Sequence, residues 1–213
     1  MILDMHVHTD MSGDARPSVL EYAKWAKELK ELYAIDGFVV TEHRYYSVAR
    51  NGVLAELSRQ TGLVILQGVE LETDYGHILV YGVTEEFLER VDVTERIDGK
   101  EAVRAALETG AVPVPAHPSR PMLGCGVAVQ QLKGVTIIEQ LNGGNDRSEN
   151  RISENLAKSL GLKGIGGSDA HFIHDFGICM TRFNRFFSTD SGLVEELKKG
   201  DFRPIYLEEA RRA

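Results

Sequence analysis

Short apolar segments alternate with amphipathic ones along the whole chain, and this order constrains the fold more than any other feature of the sequence. Most of the apolar segments are rich in Val, Ile and Leu, as is typical of parallel strands buried on both faces. The seven strand candidates are Ile2 to His6, Gly37 to Thr41, Val64 to Val69, His77 to Tyr81, Val112 to Ala116, Val135 to Gln140 and Lys163 to Gly167. The fifth is the weakest, because Pro113 and Pro115 cannot donate a hydrogen bond to a neighbouring strand.

The amphipathic segments predict helices. Ser18 and Glu21 form a capping-box pattern, and apolar residues follow it at helical spacing. Further helices are predicted from Arg44 to Gln60, Gly99 to Glu108, Ser148 to Leu160 and Ser191 to Lys199, each with a glycine just past its end. Repeated strand-then-helix order predicts a parallel sheet, either closed into a barrel or open and doubly wound.

Polar residues at strand ends favour the barrel. They are His6, His43, Glu70, His117 and Asp169, each at or just past the carboxyl end of a predicted strand. Those ends form the rim at which β/α barrels build their sites, whereas an open sheet offers a single crevice. The sequence therefore predicts an α/β fold with its strands closed into a barrel.

Length and composition are ordinary for one globular unit. The 213 residues are 43% hydrophobic and 26% charged, so we expect residues 1–213 to form a single domain. The start lacks a signal-peptide pattern, and no segment approaches the roughly 20 apolar residues of a membrane span, which predicts a cytoplasmic protein. Cys125 and Cys179 lie outside any Cys-x-x-Cys pair, so we expect reduced, partly buried cysteines and no disulfide framework.

Histidines and carboxylates in the rim segments predict a metal site. His6 and His8 are two apart on a strand and point the same way, and Asp169 with His171 can reach the same cavity from the opposite side. A lone His-x-His is more often a buried histidine bonded to a backbone carbonyl. Two such pairs together with Glu70 favour metal ligation, and their ligand types suit zinc, manganese and iron alike.

At these residues the sequence resembles the PHP family, the metal-dependent domain of DNA polymerases and histidinol phosphatases. The matching motifs are Asp4 to Thr9 with Asp14, Thr41-Glu42-His43, Gly68-Val69-Glu70, His77-Ile78-Leu79, Ala116 to Arg120, Glu139 to Gly143 and Gly167 to His171. The resemblance implies a distorted seven-stranded β/α barrel, similar to a TIM barrel, that carries two or three divalent ions and usually hydrolyses a phosphoester.

The resemblance also implies how the ligands are shared. One ion is expected at His6, His8, Glu70 and Asp169, a second at Glu70, His77 and His117, and a third at Asp14, His43 and His171. Nine candidate ligands are too many for one tetrahedral centre and adequate for three ions with one shared carboxylate. Glu42 departs from the aspartate usual before that histidine, which we interpret as a change in how His43 is oriented.

Several residues keep an alternative interpretation. Asp14 competes with a solvated turn carboxylate, and Asp10 is the substitute ligand. His77 is alternatively a core histidine, and His174 is expected at the surface. Glu72 and Glu139 either support the ligands or are ordinary strand-end carboxylates. The segment Asn142-Gly143-Gly144-Asn145 is interpreted as a flexible turn that reverses the chain.

The predicted activity is phosphoester hydrolysis by a metal-activated hydroxide, with Glu70 and Asp169 beside the attacking oxygen. His171 assists the departing oxygen if the third ion is absent. Arg120 either grips a phosphate oxygen or forms a surface ion pair. The formal net charge of −8 does not exclude an anionic substrate, because three divalent ions would bring it to about −2 and concentrate positive charge at the site.

Substrate identity stays open between a phosphorylated small molecule, a nucleotide and a short oligonucleotide. The aromatic pair after Arg44, Tyr45-Tyr46, either stacks a nucleobase or packs at a helix start. A nuclease that trims nucleic-acid ends is the enzymatic alternative, and a metal-binding module without catalysis is the third. No obligate protein partner is indicated.

Overall fold

The computed structural model describes residues 1–211, which contain nine strands and six α-helices. The strands are β1 (Ile2–Val7), β2 (Gly37–His43), β3 (Val64–Thr73), β4 (Gly76–Tyr81), β5 (Val112–Pro115), β6 (Ile137–Asn142), β7 (Lys163–Gly167), β8 (Cys179–Phe183) and β9 (Phe202–Tyr206). The α-helices are α1 (Val19–Lys30), α2 (Val48–Thr61), α3 (Glu85–Arg90), α4 (Gly99–Glu108), α5 (Arg147–Leu160) and α6 (Asp190–Lys199). Short 3-10 helices cover Asp10–Ser12, Gly126–Gln131, Ile173–Asp175 and Leu207–Ala210.

A seven-stranded mixed sheet, in the order β5-β4-β3-β2-β1-β8-β9, curls around the interior, and the parallel pair β6-β7 faces its open side. The chain after β7 is joined to β1 by hydrogen bonds from Asp169 N to His6 O (2.7 Å) and from His8 N to Ala170 O (3.0 Å). The predicted α/β class and distorted barrel are therefore confirmed, and the seven predicted strands are β1 to β7.

The sheet departs from the all-parallel arrangement at β4, which is antiparallel to both β3 and β5. Only Asp74 and Tyr75 separate β3 from β4, and a connection that short permits a hairpin and excludes a crossover helix. This reversal brings the amino-terminal end of β4, with His77, to the rim where β1, β2 and β3 end.

Prolines are tolerated in β5 because of where their nitrogens point. Ala116 N donates to His77 O at 3.0 Å, and alternate residues of a strand direct their N–H groups to opposite sides. Pro113 and Pro115 therefore face away from β4, on the side where β5 has no ladder partner among the described strands.

Capping side chains and backbone conformation set the helix boundaries. In α1, Ser18 Oγ accepts from Glu21 N and Glu21 Oε2 accepts from Ser18 N, as the capping-box pattern predicts. Helix α2 begins at Val48 and not at Arg44, because Arg44 adopts a left-handed backbone (φ 50°) that ends strand β2 without starting a helix. The sequence did not predict α3, β8 or β9.

The barrel interior is filled by buried apolar residues such as Leu3, Met5 and Leu79, and the helices pack on the outside. A register shift between Asp4 and Val7 interrupts β1. Adjacent residues of a regular strand face opposite sides. The irregularity allows Met5 to join the interior while His6, its neighbour, also turns inward toward the rim.

Cys125 and Cys179 are both free and buried, as expected. Within residues 1–211, none of the helices combines the length and the apolar composition needed to cross a membrane.

Candidate metal centre

Nine side chains from separate strands converge at one end of the barrel. His6 and His8 come from β1 and the residue after it, His43 and Glu70 from β2 and β3, and His77 from β4. The loops after the strands β5 and β7, together with the loop after Asp10–Ser12, supply the remaining four: His117, Asp169, His171 and Asp14. All nine residues proposed from the sequence therefore lie in one cluster.

Four of these residues bring one donor atom each within 4.8 Å of one another. His6 Nε2 lies 3.0 Å from His8 Nε2, and each of the two is 3.2 Å from Glu70 Oε2. Asp169 Oδ1 lies 3.4 Å from the first and 3.2 Å from the second. Four ligands about 2.0–2.1 Å from a tetrahedral zinc ion are separated by roughly 3.3 Å, so these spacings fit a divalent ion.

The two carboxylate oxygens of Glu70 lie close to five imidazole rings. Oε2 lies 3.2 Å from nitrogens of His6, His8 and His43, and Oε1 lies 3.1 Å from His77 Nδ1 and His117 Nε2. The side chain is fully buried, yet Oε2 has no hydrogen-bond partner of acceptable geometry among the described residues. Oε1 is hydrogen-bonded to His77 and His117, whereas Oε2 lies unpartnered, within the described chain, among three other rings. A buried carboxylate with an oxygen toward each of two groups of imidazoles is the arrangement expected of one that bridges two ions.

A third group of candidate ligands lies nearer the solvent. Asp14 Oδ2 is 3.4 Å from His171 Nε2 and 3.7 Å from His43 Nε2, and the side chain of Asp14 is 54% exposed. His171 Nδ1 donates to the Asp169 carbonyl oxygen at 2.9 Å, which leaves Nε2 free to bind a cation. Asp10, the alternative ligand, is exposed and forms no ion pair within residues 1–211.

Two candidate ligands have a left-handed backbone, His117 (φ 28°) and Asp169 (φ 56°). Such a conformation costs about 1–3 kcal/mol in a residue other than glycine. Each is held by a hydrogen bond of its own N–H, His117 N to Glu139 Oε2 (2.8 Å) and Asp169 N to His6 O (2.7 Å). The strained residues, His117 and Asp169, are thus two candidate ligands that turn inward just after a strand.

Glu139 supports the ligands and is more than an ordinary strand-end carboxylate. Its Oε1 accepts from His6 Nδ1 at 2.9 Å, so the opposite nitrogen of that ring faces the cluster. Asn142, which the sequence assigned only to a turn, ends β6 and donates to Glu139 Oε2 at 2.8 Å. The signal for both residues was present in their position at the end of a buried strand.

Glu42 acts through Ser12, a residue that no sequence motif indicated. Glu42 Oε2 accepts from Ser12 Oγ at 2.7 Å and from Thr9 N at 2.8 Å. The same Oγ lies 3.2 Å from His8 Nδ1 and accepts from His43 N at 3.0 Å. The carboxylate therefore positions Ser12, which contacts the His8 ring and the His43 backbone, and it does not touch the His43 ring in the described contacts.

Arg120 forms an ion pair with a candidate ligand and not with a surface residue. Its Nη1 donates to Asp169 Oδ2 at 2.7 Å, while Nη2 donates to Asn142 Oδ1 at 2.6 Å and Nε to Asn145 Oδ1 at 3.0 Å. Because Oδ2 of Asp169 is occupied in this way, only Oδ1 faces His6 and His8.

The other polar residues singled out from the sequence lie outside the cluster. Glu72 forms a two-point ion pair with Arg44, and His174 is exposed and packs edge-on against Trp25. Tyr46 donates to the Val83 carbonyl oxygen (3.2 Å) and packs with the apolar cluster around α3 and α4, which supports the packing interpretation for this tyrosine.

Burial and neighbouring charges shift the pKa values of the clustered side chains in opposite directions. Burial lowers the pKa of His6, but Glu70, Glu139 and Asp169 outweigh it and raise the pKa well above its ordinary value. Burial also opposes protonation of His8, whose pKa Asp169 and Glu70 nevertheless raise to about 9. At His43 burial prevails and lowers the pKa to about 4. The neighbouring imidazoles hold the pKa of Glu70 well below its usual range despite its burial.

Comparison with known sequences finds similarity to a PHP-associated family and to a phosphatase. The family model for PHP-associated sequences matches residues 147–202. A probable phosphatase of Photobacterium profundum is 28% identical over 205 residues, which is 83% of this chain and 80% of that protein. One alignment therefore covers most of this chain and most of that relative.

Solved structures share the fold. PsfC from Pseudomonas syringae superposes with a TM-score of 0.74 at 22% identity, covering 98% of this chain and 92% of that one. A two-domain protein of Bacteroides vulgatus containing a PHP-like metal-dependent phosphoesterase gives 0.68 at 20% identity, over 98% and 65% of the two chains. Endonuclease Q of Pyrococcus furiosus gives 0.69 at 17% identity, over 96% and 58%. The PHP-associated match, the phosphatase relative and the shared fold, together with the convergent histidines and carboxylates, support a PHP domain family for this chain.

Proposed function

We propose that the protein is a metal-dependent phosphoric ester hydrolase. The observation that carries the proposal is the position of Glu70, which has one oxygen among His6, His8 and His43 and the other between His77 and His117. Paired ions that share a carboxylate are the usual device for hydrolysing phosphoesters without a side-chain nucleophile. The names of the bacterial phosphatase and of the PHP-like phosphoesterase support the same reaction class.

The residues divide into three ligand groups. His6, His8, Glu70 and Asp169, whose donor atoms lie close together, would hold one ion. Glu70, His77 and His117 would hold a second and Asp14, His43 and His171 a third. His43 also lies close to Glu70 and His77, and His8 lies close to His43 and His171. Zinc, manganese and iron all suit nitrogen and oxygen ligands of this kind. Bound there, divalent ions supply Lewis acidity, which lowers the pKa of coordinated water and neutralises charge on phosphoryl oxygens.

The protein's own groups supply orientation and proton transfer. Arg120 fixes Asp169 through Oδ2, and its two remaining N–H groups can reach a phosphate oxygen. His171 donates from Nδ1 to the Asp169 carbonyl oxygen, and if the third ion is absent it can protonate a departing oxygen from Nε2 at the rim, where its side chain is 26% exposed. Glu70 and Asp169 would lie beside the attacking oxygen.

A nuclease is the second candidate, because the fold of endonuclease Q covers 96% of this chain. It predicts release of mononucleotides from oligonucleotides and an affinity that falls steeply with salt. A metal-binding module without catalysis is disfavoured, because loss of activity usually removes ligands and all nine candidates are present here. We propose further that residues 1–213 act as one catalytic domain.

Purified protein loaded with manganese, zinc or iron would be assayed against chromogenic phosphoesters, nucleotides and short oligonucleotides. Turnover of the first two classes supports the phosphoesterase, and turnover of oligonucleotides alone supports the nuclease. Absence of turnover with every class at full metal occupancy would contradict both.

A further inference from the structure

Asn142 occupies the point where the residues supporting the metal ligands meet. It is completely buried at the end of β6, and all four hydrogen-bonding positions of its amide are used. Oδ1 accepts from Arg120 Nη2 (2.6 Å) and Gly144 N (2.8 Å), and Nδ2 donates to Glu139 Oε2 (2.8 Å) and Asp169 Oδ2 (3.4 Å).

The orientation of this amide is dictated by its partners. Guanidinium and backbone N–H groups can only donate, and ionised carboxylates can only accept. A rotated amide would place two donors against Arg120 and Gly144 and an oxygen against Glu139 and Asp169. Asn142 is therefore held in one orientation.

The backbone of Asn142 is held as firmly as its side chain. Asn150, buried in α5, accepts from Asn142 N and donates to Asn142 O, both at 3.0 Å. These two bonds resemble one step of a strand ladder, and they anchor the end of β6 to a helix. The amide thus has a rigid base from which to act.

Two of the partners act directly on candidate ligands. Glu139 orients His6 through Nδ1 and holds the strained backbone of His117 through its N–H. Asp169 belongs to the first ligand group, and His117 belongs to the second. One buried amide is therefore connected to both groups.

We propose that Asn142 is a positioning residue that couples the two ligand groups, by holding Glu139 and Asp169 in the orientations that present His6, His117 and Asp169 Oδ1 to the ions. The proposal rests on the metal-dependent function proposed above. Asn142 donates to two carboxylates that otherwise repel each other, and it anchors the guanidinium that occupies Asp169 Oδ2. Removing only the two donated bonds should release both groups of ligands together.

Asn142→Asp is the sharpest test, because it keeps the shape and the two accepting contacts but replaces both donors with carboxylate oxygen. Asn145→Asp is the matched control. It adds the same charge beside the same Arg120, touches neither Glu139 nor Asp169, and loses only a 3.3 Å contact to Asn150. The readouts are cobalt affinity by chelator competition, the cobalt absorption spectrum, and the Tm of the metal-free protein.

We expect N142D to bind cobalt about 10- to 100-fold more weakly, with an altered spectrum and a lowered Tm, because a third carboxylate is buried beside Glu139 and Asp169. N145D should stay within about threefold of wild-type affinity and keep its spectrum. If N142D fails to fold, Asn142→Ala, which adds no charge, is measured in the same way.

Wild-type affinity and spectrum in N142D or N142A would overturn the proposal, as would an equal loss in N145D. If neither variant folds, Asn142 has a structural role, and the proposal is likewise overturned. None of these readouts requires turnover. A wild-type protein that binds cobalt but hydrolyses no phosphoester would contradict the proposed function and leave the role of Asn142 standing.

Discussion

His6 Nδ1 lies 2.9 Å from Oε1 of Glu139, and both side chains are completely buried. A carboxylate on one side of an imidazole fixes the tautomer and increases the basicity of the opposite nitrogen. That nitrogen, Nε2, faces Glu70 and Asp169. The pair joins β6 to β1, so it exists only when the barrel closes.

Glu139→Gln should weaken metal binding by about 10- to 100-fold, because the ring loses its anionic partner while the fold keeps a side chain of the same shape. Titration with a competing chelator measures the change. Glu72→Gln is the control, since Glu72 is also a strand-end glutamate but pairs with Arg44. Equal affinities in E139Q and the wild type would show that this carboxylate is dispensable.

Glu70→Gln should abolish activity and lose at least one ion while the fold is retained. The substitution removes the negative charge that faces three imidazoles through one oxygen and two through the other, so binding of both ions is weakened at once. Elemental analysis gives the metal content, and circular dichroism checks the fold. Wild-type turnover in this variant would refute the bridging assignment.

Asp14→Asn should remove one ion without emptying the buried sites, because Asp14 contacts only His43 and His171 among the candidate ligands. Asp10→Asn changes an exposed aspartate of the same rim and should leave the metal content unchanged. The ratio of metal to protein after dialysis distinguishes the two. The reverse pattern would make Asp10 the ligand.

Metal binding to the metal-free protein should release protons at neutral pH. The pKa of His6 is raised well above its ordinary value and that of His8 to about 9, so protons compete with a cation for these rings near neutral pH. His43, with a pKa of about 4, is already neutral. Affinity should therefore rise between pH 6 and pH 9. Calorimetry in buffers of different ionisation enthalpy counts the protons, and binding without proton release would contradict this protonation pattern.

Glu42 should stabilise the protein above its unfolded pKa and stop doing so in acid. Burial raises its pKa, but hydrogen bonds from Ser12 and Thr9 and the ion pair with Arg50 outweigh burial and lower it. A folded-state pKa below the unfolded value adds stability that is lost as pH falls through the folded pKa.

Glu42→Gln should therefore lower the Tm on the order of 5 °C at pH 7, because it leaves Arg50, only 11% exposed, without its partner. The difference in Tm between this variant and the wild type should shrink as the pH is lowered from 6 to 3. Thermal melts at each pH measure this difference. A pH-independent difference would show that the charge of Glu42 is not what stabilises the loop.

Much of the fold was predictable because its signals are local. The seven predicted strands correspond to β1 to β7, and the helix from Gly99 to Glu108 has the predicted bounds. Apolar composition, a Ser18–Glu21 capping pattern and terminal glycines all act within a few residues. The antiparallel β4 was misjudged, because the two-residue turn after Thr73 looks like any short loop until its strand pairing is known. Strand β8 was missed, since it is defined by pairing with the start of β1.

The sequence by itself determined which residues are available as metal ligands, because a strand carries its terminal side chains to the rim of a barrel wherever the strand is placed. Only the tertiary structure decided how they are grouped. It set one oxygen of Glu70 against His6 and the other against His77, gave His6 to Glu139, and occupied Asp169 Oδ2 with Arg120. Those relations join residues up to 133 positions apart, and they depend on closure of the barrel, which no short segment encodes.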